Sequence, residues 1–159
     1  MQVVEKGNAI TRRSGEPDII TYKRDNAARI LQATDEARAH LAYFWEHREH
    51  PGRGEAMFQL KVAFPVTNEE GEKGREHIWV KDVVKTSGGG FAGRLDNEPM
   101  GMPGKHSGDM VDFTALMISD WGFLRREKLI GFYTSRVQLQ DDSSPELARF
   151  RTRLGENPV

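Results

Sequence analysis

Apolar residues recur three and four positions apart from Ala27 to about His47. Ile30, Thr34, Ala37, Leu41 and Phe44–Trp45 form one stripe, and Asp35, Glu36, Arg38 and Glu46 lie opposite, so the spacing predicts an amphipathic helix. Asp25 stands where its N-cap is expected, and Pro51 and Gly52 stop it. The period then changes to two. Phe58, Leu60, Val62, Phe64 and Val66 alternate with Gln59, Lys61, Ala63 and Pro65, which predicts a strand with one wet and one buried face. After a polar turn at Asn68–Gly74, a second strand is expected over His77–Val84. Ile78, Val80 and Asp82 then share one face, and His77, Trp79, Lys81 and Val83 share the other. Phe91–Asn97 is the third strand.

Further on, Met110–Ile118 reads as extended, Ser119-Asp120-Trp121 as a turn, Arg125–Lys128 as a charged hairpin tip and Leu129–Gln140 as the last strand. Ser143 and Glu146 have capping-box spacing before a C-terminal helix with a narrow stripe of Leu147, Phe150 and Leu154. Helix, a run of about five short strands, then helix is an α+β order. The expected fold is an N-terminal helix packed on a strongly bent, mainly antiparallel sheet or small partly open barrel, plus a C-terminal helix. Residues 1–24 are expected as an arm, with a short strand at Ile19–Tyr22. Residues 25–140 form the single domain, and 141–159 the C-terminal helix and tail.

Composition narrows the functions. The 23 basic and 24 acidic residues among 159 leave a net charge of -1, which argues against a general polyanion or anionic-membrane binder. With no cysteine there is no disulfide, thiol catalysis or thiolate metal site. The apolar runs Leu41–Trp45 and Phe113–Ile118 are too short to span a bilayer, and Met1 to Gly15 carry no signal-peptide core, so a cytoplasmic location is expected.

The chemistry-bearing candidates are few. Gly88 to Gly93 satisfies G-x-G-x-x-G, but Arg94-Leu95-Asp96-Asn97 continues as a strand. The helix that would hold a pyrophosphate is missing, and a hairpin turn is expected instead. His47 and His50 have helical metal-pair spacing but lack a third ligand, so a solvated helix end is expected, with no metal and no cofactor. Glu98–Ser107 should be an exposed, mobile loop. His77 and Trp79 share a strand face: either they project into a groove as a binding pair, or the second face is covered and Trp79 is core. Asp120 either holds a turn, pairs with Arg136, or orients His77 as a base. Arg136 beside Phe132 either receives a carboxylate or a base, or snorkels on the sheet surface. Asn97 stabilises a turn or joins the site.

Five motifs, in order, resemble a bacterial family, domain of unknown function 2314. They are Ala37-Arg38…Leu41…Phe44-Trp45, Glu76-His77-Ile78-Trp79-Val80, Phe91-x-Gly93-x-Leu95-x-Asn97-x-Pro99, Gly108-Asp109…Ile118-Ser119-Asp120-Trp121 and Gly131-Phe132-Tyr133-Thr134-x-Arg136-Val137. The similarity spans roughly residues 28–139 and implies a small α+β domain without an assigned activity.

Three functions follow. The first is a non-enzymatic binding or interaction module presenting His77, Trp79, Arg94, Asn97, Trp121 and Arg136 to a protein, peptide or small-molecule ligand. The alternative is a small hydrolase or lyase using His77 and Asp120 as an acid/base pair; against it stands the lack of a convincing nucleophile, Ser119 having no nucleophile-elbow glycines. A third possibility is an oligomerising unit paired through Phe44, Trp45 or Phe150. The ligand and the oligomeric state are not legible in the sequence.

Overall fold

The computed structural model describes residues 3–6, 9–11, 24–141 and 144–159. In chain order these form β1 (Val3–Lys6), β2 (Ala9–Thr11), α1 (Arg24–Ala39), α2 (Leu41–Glu49), β3 (Glu55–Thr67), β4 (Lys73–Lys85), β5 (Phe91–Leu95), β6 (Met110–Phe113), a 3-10 turn at Ala115–Met117, β7 (Ile118–Arg125), β8 (Lys128–Gly131), α3 (Tyr133–Asp141) and α4 (Pro145–Arg153). The fold is α+β. An open, bent antiparallel sheet runs in the order β2-β1-β4-β3-β7-β8, and β5 and β6 branch from the second half of β4. The strand expected at Ile19–Tyr22 lies outside the described residues, as does Ser143 of the expected capping box. The N-cap of α4 is Ser144, with Pro145 at its first turn.

The single long helix is in fact two. In an uninterrupted helix the His40 amide would bond to Glu36 O, but the His40 ring takes that carbonyl through Nδ1 at 2.9 Å, and the amide bonds to Ala37 O instead. The chain turns at this point and α2 begins at Leu41. At the other end, Asp25 lies inside α1 rather than before it, since the helix starts at Arg24.

The two helices cover one face of the sheet. Phe44, Leu60, Val62, Ile78, Val80, Leu95, Ile118, Trp121 and Phe123 are sealed there. Trp121 donates its indole N–H to Ala37 O at 2.8 Å, tying β7 to α1. Ser119-Asp120-Trp121 is therefore no turn. It lies within β7, every residue of which from Ile118 to Phe123 is buried. Alternation also fails locally in β4. Asp82 has φ 52° at a register shift against β5, so the strand bulges; Asp82 is exposed and Val83 enters the core.

The opposite face of the sheet is not wet either. Lys61, Ala63 and Trp79 are buried on it. The cause is the segment expected to be the last strand. Gly131 at φ 86° and Phe132 at φ 52° end β8, and α3 follows at once. The Phe132 ring then lies 5.1 Å from Trp79, over Gly122, where a Cβ would sit 2.3 Å from that ring. Beyond α4, Gly155 donates to Leu129 O at 2.9 Å, so the C-terminal segment lies along β8.

Candidate functional site

The six residues predicted to form a binding surface are dispersed. His77, Trp79 and Arg94 lie on one side of the sheet, because Lys81 pairs with Arg94 and shares its face with Trp79. Trp79 is sealed there by Phe132, so the covered-face reading holds for it. Arg94 is exposed and donates to Gly108 O. Asn97 is half-buried, and its Oδ1 has no hydrogen-bond partner among the described residues. Trp121 is in the main core, on the other face. Arg136 is on α3, because the strand expected over Leu129–Gln140 ends at Gly131 and its second part is helical.

His77 and Asp120 are not brought together as an acid/base pair. His77 Nδ1 lies 3.1 Å from Ser119 Oγ, which itself donates to Lys61 O. Asp120 is fully buried and acts as a cap for α3. It accepts from the amides of Tyr133 at 3.1 Å, Thr134 at 2.9 Å and Trp121 at 2.8 Å, and from Thr134 Oγ1 at 2.6 Å. Lys61, its partner across β3 and β7, donates to the same hydroxyl at 3.0 Å under the Trp79 ring. Burial draws the Lys61 ammonium down to about 8, against the attraction of Asp120. Burial likewise pushes the Asp120 carboxyl upward, against Lys61 and the donors of Thr134 and Trp121. This is a sealed polar pin between sheet and α3.

A cleft of about 440 Å³ opens between α1, α3 and the C-terminal segment. Arg136 is anchored there by carbonyls. Its Nε donates to Gly131 O at 2.8 Å, and Nη2 to Leu129 O at 3.0 Å and Asn157 Oδ1 at 2.9 Å. Every one of these acceptors is neutral. Asn157 also accepts from the Gly131 amide, so the short C-terminal segment fixes the guanidinium. Beside it, Tyr133 is 7% exposed, and its hydroxyl has no hydrogen-bond partner among the described residues. Burial, then the charge of Asp120, pushes this phenol up to about 12. The His40 ring lies parallel to Tyr133 at 6.1 Å, with Nδ1 committed to Glu36 O. The turn that splits α1 from α2 thus also delivers an imidazole to the cleft. His40 gave no signal in the sequence beyond its place on the polar side of the helix.

A second cleft, of about 500 Å³, lies between the end of α2 and the bulged ends of β3 and β4. Two non-glycine residues line it in left-handed backbone conformation, Met57 at φ 57° and Asp82 at φ 52°. Met57 is 70% exposed, so Met57→Gly removes strain with little loss of packing. The expected result in chemical denaturation is a neutral to stabilising change of up to about 1 kcal/mol, where a relaxed strand position loses stability to glycine. Nearby, His47 is no solvated helix end. Its Nδ1 lies 2.9 Å from Glu55 Oε1, and its ring lies tilted against Tyr43 at 4.2 Å and stacks on Phe123 at 5.7 Å. Burial works against the Glu55 charge, but His47, the Gly52 amide and Arg125 hold this carboxyl below its usual range.

The G-x-G-x-x-G stretch is the β4–β5 hairpin, closed by Thr86 and Gly90. Gly93 lies in β5 because a Cβ would approach Val80 Cγ1 to 2.5 Å. The Glu98–Ser107 loop is exposed but tethered. The buried Glu76 carboxylate accepts from the Met100 and Gly101 amides, and Glu98 accepts from His106 and the Ser107 amide. Among the described residues, no group of three or more His, Asp or Glu side chains is placed to hold a metal ion. No helix among them is long and apolar enough to cross a membrane.

Fold and clefts together define a small α+β domain with a bent antiparallel sheet. The family model described as an uncharacterised protein conserved in bacteria (DUF2314) matches residues 27–157, and the chain belongs to that family. The match runs past the resemblance read from the motifs and takes in α4 and Asn157. No curated protein and no solved structure matches the chain.

Proposed function

We propose that the chain is a non-enzymatic binding module of the bacterial cytoplasm, and that a ligand enters the α1–α3 cleft. One observation carries this reading: donors at the cleft are left unspent. The Tyr133 hydroxyl is buried without a partner among the described residues, which costs about 1–3 kcal/mol in the free protein. Beside it stands a half-buried guanidinium whose acceptors are all neutral. A cleft of about 440 Å³ suits a small molecule better than a folded partner. The acid/base alternative draws no support from the contacts of His77 and Asp120.

Tyr133→Phe is expected to raise the stability of the free protein by about 1 kcal/mol, because it removes an unsatisfied hydroxyl and keeps the ring. Thermal unfolding reads this directly; a loss of stability means the hydroxyl is satisfied in solution. The site itself is tested by titrating a small-molecule fragment library into isotope-labelled protein. Amide shifts should cluster at His40, Tyr133, Arg136 and Val137. Shifts clustering instead at His77, Lys81 and Arg94 place the binding face on the sheet and reject the cleft.

A further inference from the structure

Resting on the reading that the α1–α3 cleft binds the ligand, we infer that the ligand is a small organic carboxylate with an apolar body. The charge comes from Arg136. Its Nε and Nη2 are spent on three neutral oxygens, whereas Nη1, with two N–H groups, has no hydrogen-bond partner among the described residues. These two N–H groups diverge, so Nη1 offers an anion single charge-assisted hydrogen bonds rather than a parallel fork. The Tyr133 hydroxyl, sealed from solvent in the free protein, adds one further donor once the ligand displaces what covers it, and His40 Nε2 another when the ring is protonated.

These donors number three or four, which suits the two oxygens of a carboxylate. A phosphate dianion has more acceptor sites and more charge to satisfy, and the Glu36 carboxylate on the same cleft repels it further. The remaining lining divides: Arg29, which donates to Asn26 and Gln140, lies with Gln32 on the polar side, and Ala33, Val137, Pro158 and the Tyr133 ring form an apolar wall that receives carbon rather than a second charge. The guanidinium is also held in advance. Asn157 grips Arg136 Nη2 at 2.9 Å and both the amide and the carbonyl of Gly131, so little ordering is left for the ligand to supply.

The test is calorimetric titration of the full chain with acetate, hexanoate and benzoate, with neutral benzamide and with inorganic phosphate, each repeated by amide-shift mapping. Expected is saturable binding of hexanoate or benzoate, none of benzamide, and shifts at His40, Tyr133 and Arg136. Tyr133→Phe should weaken the carboxylate at least about 10-fold, the loss of one charge-assisted hydrogen bond. Arg136→Gln should abolish it. Because that change also loosens the C-terminal segment, Tyr133→Phe, which removes only a hydroxyl, decides the matter. Unchanged affinity in Tyr133→Phe overturns the inference. So does phosphate or benzamide binding in the cleft more tightly than every carboxylate, an outcome that leaves the cleft as the site. If no probe shifts the cleft amides, the inference and the proposed site fail together.

Discussion

Asp120→Ala is expected to destabilise the protein by about 3–5 kcal/mol, the cost of leaving a buried partner charge uncompensated. Four donors lose their acceptor at once: the amides of Trp121, Tyr133 and Thr134, and the Thr134 hydroxyl. Lys61, 3% exposed, is left beneath Trp79 with only that hydroxyl. The double variant Lys61→Met, Asp120→Asn should recover a large part of the loss, since a buried pair replaced by groups of similar volume is often neutral. Simple addition of the two single costs in urea unfolding would show that the pair is not coupled. The pH dependence has a defined sign. The folded-state Lys61 value of about 8 lies below its ordinary 10.5, so between them the unfolded chain binds the extra proton. Wild-type stability therefore rises with pH across that window relative to Lys61→Met, and a flat difference contradicts a buried ammonium.

The second large effect separates two residues of the same strand face. Trp79→Ala should cost about 3–5 kcal/mol, as truncation of a buried aromatic does. The ring is 5% exposed, packs on Phe132 at 5.1 Å and lies over Lys61. His77→Ala should cost less, about 1 kcal/mol, since it removes a half-buried imidazole with polar contacts such as that to Ser119 at 3.1 Å rather than a sealed aromatic ring. Denaturant midpoints of the two variants give the comparison. Equal and negligible costs would make this an open functional face, with Phe132 not seated upon it.

What was legible in the sequence followed from period. The alternation of Phe58 to Val66 is β3, and the stripe from Ile30 to Phe44 buries α1 and α2 against the sheet. What was missed followed from single residues that break a period. His40 uses its own side chain to take the carbonyl its amide would have used. Asp82 adopts a positive φ that nothing in its type requires. Phe132, Thr134 and Arg136 alternate as a strand would, yet Tyr133 and Val137 stand at helical spacing. The choice between those readings is made by Asp120, thirteen residues before Tyr133, whose carboxylate receives the first amides of α3. A contact of that range leaves no local pattern.

The same reasons explain the candidate site. Arg136 was legible as a receiver of carboxylates, but its neighbours were not, because they come from α1, α3 and the C-terminal segment. Tyr133 reaches the cleft only once the chain turns helical at that point, and His40 only once the long helix breaks. The face read from the strands was instead closed by Phe132.

The most direct measurement is a crystal structure of the full chain grown with benzoate. The carboxylate is predicted to lie within hydrogen-bond distance of Arg136 Nη1 and Tyr133 Oη, its ring against Val137. Density for benzoate on the strand surface around His77 and Arg94, with the α1–α3 cleft empty, would contradict the account.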